Sequence, residues 1–157
     1  MSFDVTTLLG FHVVVSLVGI ATGLVVLAGL IANNRLEGWT LIFLATTLAT
    51  SVTGFFFPVQ QILPSHIVGA ISIVVLALAI VAKYGRHLAG SWRWIYVVTA
   101  VTALYLNVFV LVVQLFLKVE ALAVLAPNQN EPPFLIAQSA ALALFVIAGI
   151  IGVLRFR

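Results

Sequence analysis

Polar residues are sparse along this chain. Between them the apolar residues run in five blocks: Leu8–Ala32, Trp39–Phe57, Ser65–Ala82, Trp94–Leu117 and Phe134–Leu154. A helix that crosses the hydrocarbon core needs roughly 20 apolar residues, within a range of about 17–25, and every block has that length. A segment inside lipid must satisfy its own backbone groups, which a helix does. No block has the two-residue alternation of a barrel strand. The pattern therefore predicts an all-α, polytopic membrane helix bundle with five transmembrane helices. The breaks are short: a polar turn at Asn33–Gly38, a proline-bounded turn from Pro58 to Pro64, a basic loop from Lys83 to Arg93, and a connection from Glu120 to Pro133. The last is rich in turn-forming proline and asparagine. None has room for a second domain, so one transmembrane domain over residues 1–157 is expected.

Composition agrees. The chain is 64% hydrophobic and 7% charged, against about 25% charged residues in a soluble domain. Such a chain cannot cover itself with polar surface in water. Its first partner is the lipid bilayer, and nucleic acid is not expected despite the net charge of +3. The first block is read as a retained helix, because Asp4 stands where a signal peptide carries lysines and the apolar run is too long. No internal repeat marks the inverted halves of a secondary transporter. With no cysteine, disulfides, thiolate metal sites, iron–sulfur clusters and covalently attached c-type haem are excluded. Met1 is the only methionine, which excludes a methionine-rich copper site.

Charge orients the five spans. If the N-terminus lies outside, Arg35, Lys83, Arg86, Arg93, Arg155 and Arg157 share one side and Lys118 stands alone on the other. Basic loops are retained in the cytoplasm, so the N-terminus is expected outside and the C-terminus inside. Trp39, Tyr84, Trp92 and Trp94 cluster at the cytoplasmic edge, where amphipathic aromatics belong. His87, in "KYGRHLAGSWR", is read as a solvated loop residue.

This topology gives two histidines a common depth. His12 lies about one turn inside the outer end of the first helix, and His66 lies in the first turn of the third. His12, Ser16, Gly19 and Gly23 form one helical stripe, and Gly19–Gly23 is a GxxxG match that allows close approach. Thr47, Thr50 or Ser51, and Gly54 make a similar stripe on the second helix, and Gly69 lies one turn below His66. Asn107, Gln114 and Lys118 share a face of the fourth helix. Gln138 and Ser139 open the fifth. The outer half is expected to gather His12, His66, Asn107, Gln114, Lys118 and Gln138.

Three specific chemistries fit that cluster. Two imidazoles from two helices are the ligand set of a b-type haem. His12 and His66 would hold the iron, Gly19, Gly54 and Gly69 would give the ring room, Gln114 or Lys118 would meet propionates, and the role would be electron transfer. Alternatively, His, Gln and Lys hydrogen-bond the carbonyls of a quinone or a lipid headgroup, with the tail in an apolar groove. A small ion or proton transporter is a third reading, although no carboxylate lies within a span. Against all three stands a plainer expectation. The histidines are wetted, Asn107 and Gln114 are interhelical glue, and the chain is a structural or accessory subunit of a larger membrane complex or a homo-oligomer. No HExxH, GxSxG or P-loop pattern appears, so independent catalytic activity is not expected.

The stretch "LYLNVFVLVVQLFLKVEALAVLAPNQNEPPF", Leu104–Phe134, resembles a recurring pattern in small bacterial inner-membrane proteins. It covers about a fifth of the chain, and it implies a bacterial cytoplasmic membrane while bringing no activity or cofactor with it. The histidine placement is similar to that of membrane b-type cytochromes in residue type and depth, without a shared motif.

Overall fold

Turn chemistry sets the first hairpin. Asn33 and Leu36 both adopt positive φ, 58° and 46°, a region that costs a branched or bulky residue energy. Leu36 is held there because its side chain folds back onto Gly29: a Cβ at Gly29 would lie 2.6 Å from Leu36 Cδ1 and 2.8 Å from the Asn34 carbonyl. A glycine at 29 is what lets the turn close this tightly. The computed structural model describes residues 5–56 and 64–157. Its helices are α1 (Val5–Ile31), α2 (Glu37–Gly54), α3 (Pro64–Ile80), α4 (Trp92–Lys118), α5 (Glu120–Leu125) and α6 (Pro132–Arg155), with a π turn, Val81–Gly85, closing α3. Among the described residues there is no strand. Asp4 and most of the expected turn between Pro58 and Pro64 lie outside the described residues.

Two expectations need correction. Five blocks were expected to be long and apolar enough to cross a membrane; four helices are, Thr7–Ile31, His66–Gly85, Trp92–Lys118 and Pro132–Arg155. The exception is α2. It begins with Glu37, carries Thr40, Thr46, Thr47, Thr50, Ser51 and Thr53, and is 18 residues long. The second correction is the connection after α4, which is not plain loop. It contains α5, and α6 starts inside the expected loop because Pro132 and Pro133 occupy its first turn, where a missing N–H costs nothing.

α1 and α2 run antiparallel along their whole shared length. Leu36 lies against Gly29, Phe43 against Gly23, Thr47 against Gly19 and Thr53 against His12. α1 packs on α2, α2 on α3, α3 on α4 and α4 on α1, so these four make a ring. α6 lies outside it against α4 and α1, with Gly152 seated on Val97 and Leu30.

The ring is filled unevenly. Its principal core comprises Val26, Leu30, Phe43, Leu44, Leu76, Ala79, Ala82, Tyr96, Val97, Ala100, Ala103 and Leu104, joined by Phe156. All of these lie toward the end where α1 finishes and α2 begins. The basic groups gather at that same end. Arg155 Nε donates to the Ile31 carbonyl at 2.6 Å, the Arg157 backbone N–H donates to Asn33 Oδ1, and Lys83 Nζ pairs with Glu37 at 2.8 Å. Lys118 is at the other end of α4. A smaller core of Phe116, Ala126 and Phe134 ties α5 and α6 to α4 there.

Candidate functional site

The opposite end of the ring is hollow. A cavity of about 530 Å³ lies between α1, α2, α3 and α4, within the usual size range of small-molecule sites. On α1 it is lined from Leu9 to Ile20, which is roughly 16 Å of depth at the helical rise. That is about half of a bilayer core of ~30 Å. Leu9, Val13, Leu17, Ile20, Val68, Leu106, Val110, Leu111 and Leu115 make its wall largely aliphatic.

Most of the expected site residues meet here. His12, His66, Gly54, Gly69, Asn107, Gln114 and Lys118 all line the cavity. Gly19 does not, and Gln138 does not. Gln138 is buried on α6 and its Nε2 donates to the Phe109 carbonyl at 3.2 Å, on another side of α4. Ser139 is exposed.

Room for a flat ring was the expectation at Gly19, Gly54 and Gly69. A Cβ at Gly19 would come within 3.1 Å of Thr47 Oγ1 and 3.3 Å of Asn107 Nδ2. At Gly69 it would meet the Phe55 ring at 3.1 Å, and at Gly54 it would meet His12 Cε1 at 3.6 Å. At Gly19 and Gly69 neighbouring side chains leave little space for a Cβ, as in close helix packing, whereas at Gly54 the contact is an ordinary one. Phe55 also lies beside His66, with ring centres 5.7 Å apart.

His12 is tied to α2 through Thr53. Its Nδ1 is 2.8 Å from Thr53 Oγ1, and that hydroxyl is already donated to the Ala49 carbonyl at 2.7 Å. A hydroxyl has one proton; with that proton on the Ala49 carbonyl, Thr53 Oγ1 accepts from His12 Nδ1–H, and the neutral ring then carries its lone pair on Nε2. Thr53 is a residue that sequence reasoning missed. The hairpin could have found it, since 12 and 53 stand at nearly equal separations from Asn33.

The polar groups of the wall divide into two sets. In the deep part they bond to the protein itself. Asn107 Nδ2 donates to the Ser16 carbonyl, Ser16 Oγ to Val13, Thr50 Oγ1 to Thr46, and Ser51 Oγ to Thr47 and to Ser72 Oγ. Thr47 differs: its Oγ1 is buried at the floor with no hydrogen-bond partner among the described residues. Near the mouth, Gln114 and Lys118 make no hydrogen bond or ion pair among those residues. Among the described residues no carboxylate lines the cavity.

No protein-family model, curated protein or solved structure matches the chain.

Proposed function

We propose that the protein is a membrane-embedded binding module for an amphipathic ligand, held with its apolar body in the cavity and an oxygen-acceptor head at the histidine end. The division among the polar groups carries this reading. Deep hydroxyls other than Thr47 bond to the protein itself and leave a largely apolar wall, whereas Gln114 and Lys118 keep their donors at the mouth. A site with two or three placed donors and a long aliphatic wall suits a lipid-like molecule. An isoprenoid quinone has the required carbonyl oxygens and an apolar tail, and it makes the role an accessory one in electron transfer without independent catalysis.

The same reading sets the protein in the bacterial cytoplasmic membrane, with α2 held inside the bundle against α1. α2 shares the depth of α1 because the two are paired from Gly29 to His12. Its hydroxyls at Thr46, Thr50, Ser51 and Thr53 bond to carbonyls of their own helix, which lowers the cost of placing them in lipid. The basic end then faces the cytoplasm, and the cavity opens toward the outer face.

A second reading, haem b, is favoured by one observation. A ligating histidine donates its other ring nitrogen to a fixed acceptor, and His12 does so to Thr53. His12 and His66 would be the axial ligands, with Lys118 and Gln114 toward the propionates and Phe55 displaced from Gly69.

One preparation tests both. Protein purified in mild detergent is extracted with organic solvent for quinone, and its oxidised and dithionite-reduced spectra are recorded. The expected result is near-stoichiometric quinone with no Soret band, and several-fold less quinone in Gln114→Leu and Lys118→Met. A Soret band lost in His12→Ala and in His66→Ala selects haem instead. Well-folded protein with neither quinone nor haem overturns both.

A further inference from the structure

The cavity stops halfway through the ring, and the floor is as ordered as the cavity. A Cβ at Gly23 would lie 2.5 Å from Leu104 Cδ1 and 2.9 Å from two carbons of the Phe43 ring. Two large side chains therefore meet over a residue that has none, and with Leu76 they plug the axis. Small residues, Ala79, Ala100 and Ala103, face the core beyond the plug. The deepest polar group of the cavity, Thr47, is 1% exposed and unpartnered. It sits two helical turns along α2 from Thr40, which is buried beyond the plug and donates its Oγ1 hydrogen to the Arg35 carbonyl at 3.1 Å. Next comes Lys83, whose side chain is 4% exposed and whose ammonium lies 5.7 Å from the centre of the Tyr96 ring.

Lys83 is held by one ion pair, to Glu37, and lies over the rings of Tyr84 and Tyr96. Its partner, Glu37, is the first residue of α2 and is 62% exposed. Lys83 itself sits in the π turn Val81–Gly85, and π turns are inserted registers found mostly where helices must change. A buried cation that loses its partner is driven toward solvent.

We infer that the ring is a gated path in which Phe43, Leu76 and Leu104 form the plug and Lys83–Glu37 the latch, so that the protein carries its amphipathic ligand across the membrane. This rests on the binding reading above. The structure is the form open at the histidine end and closed at the basic end.

The absence of cysteine makes a direct test simple. Single cysteines are placed in the cavity (Ser16→Cys) and beyond the plug (Ala79→Cys, with Ala100→Cys as a second reporter if the first misfolds). Reaction with a membrane-impermeant maleimide is timed in full-length protein in nanodiscs, with and without Glu37→Gln. The latch predicts opposite changes: at least tenfold faster labelling beyond the plug and slower labelling in the cavity. The reversed pair, Glu37→Lys with Lys83→Glu, should return both rates toward those of the native pair. Faster labelling at both sites would mean a loosened bundle, and unchanged rates a permanent seal; either overturns the inference. Ligand content is measured on the same samples. Protein that keeps quinone without reciprocal labelling is a binding module only, while reciprocal labelling in protein that never holds quinone leaves the path and removes the binding reading.

Discussion

The two ends of the four-helix ring are built from the same four helices and reach opposite results. At the basic end each helix turns a bulky apolar or small residue inward, and Phe43, Leu76, Tyr96, Val97 and Leu104 are all but sealed. At the histidine end the inward positions hold residues that bond along their own helix or stop short of the axis, and about 530 Å³ stays open. In lipid, helices associate through packing and hydrogen bonds rather than escape from water. The packed end therefore holds the ring together, and the hollow end is free to be shaped by a ligand. Stability and binding should separate along the bundle axis.

The sharpest way to break that comparison is to truncate one side chain at each end. Phe43→Ala empties the plug. Removing a buried phenylalanine costs about 3–5 kcal/mol, and the lower figure, about 3 kcal/mol, applies where lipid is the alternative environment. Val110→Ala removes two methyl groups that already border open space, and it should cost under about 1 kcal/mol. Denaturation of both variants in mixed micelles measures the pair. Equal losses would mean that the cavity wall carries as much packing as the plug.

Glycine substitutions probe the same contrast at a finer scale. Gly23→Ala drives a methyl group into Leu104 and Phe43 and should destabilise by about 1–3 kcal/mol, the usual cost of overpacking. Gly10 has nothing within 4 Å of its Cβ position. There alanine should be neutral or stabilise by up to about 1 kcal/mol through helix propensity. A neutral Gly23→Ala would show that Phe43 and Leu104 can move apart without cost, and the plug would lose its meaning.

How much of this was legible in the sequence follows from which forces act locally. The long apolar runs at α1, α3, α4 and α6 could be read because lipid imposes length and hydropathy on each helix separately. The second block was misjudged as equally apolar, since Leu41–Leu44 concealed the threonines that follow. The gathering of His12, His66, Gln114 and Lys118 was legible because depth follows from counting turns. Gln138 was misplaced because depth says nothing about rotation. The close neighbours of Gly19 and Gly69, Thr47 and Phe55, were not legible for a related reason, since tertiary packing places them. Lys83 was taken as a loop charge, and only the π turn, an insertion invisible to periodicity, turns it inward against Glu37.

The ion pair tests whether the basic end is held by charge or by packing. Lys83→Met keeps the length of the side chain and removes the buried charge, and such replacements are often neutral. Glu37→Gln leaves the cation buried and unpaired. The exposure of Glu37 lets solvent offset part of that cost, so a loss of about 1–2 kcal/mol is expected. The order matters more than the size. If Lys83→Met proves the more damaging, its charge is needed for something other than Glu37.

The smallest expected effect on stability is at the hollow end, and it bears most directly on the site. Thr53→Val removes the acceptor of the His12 Nδ1–H bond and keeps the shape of the side chain. One hydrogen bond is worth about 1 kcal/mol, and His12 borders a cavity in which water can replace the lost partner, so the stability change should be about 0.5 kcal/mol or less. The ring, however, is no longer held to one tautomer. Nitrogen NMR of the imidazole should show a single neutral form with the proton on Nδ1 in the native protein and a mixture in Thr53→Val. If quinone is the ligand and Gln114 and Lys118 hold its carbonyls, quinone content should change less than twofold. If haem is the ligand, the axial bond weakens with the loss of its orienting partner, by the 10–100-fold typical of such second contacts. A hydrogen bond at one histidine thus separates the two readings even where both fill the same space.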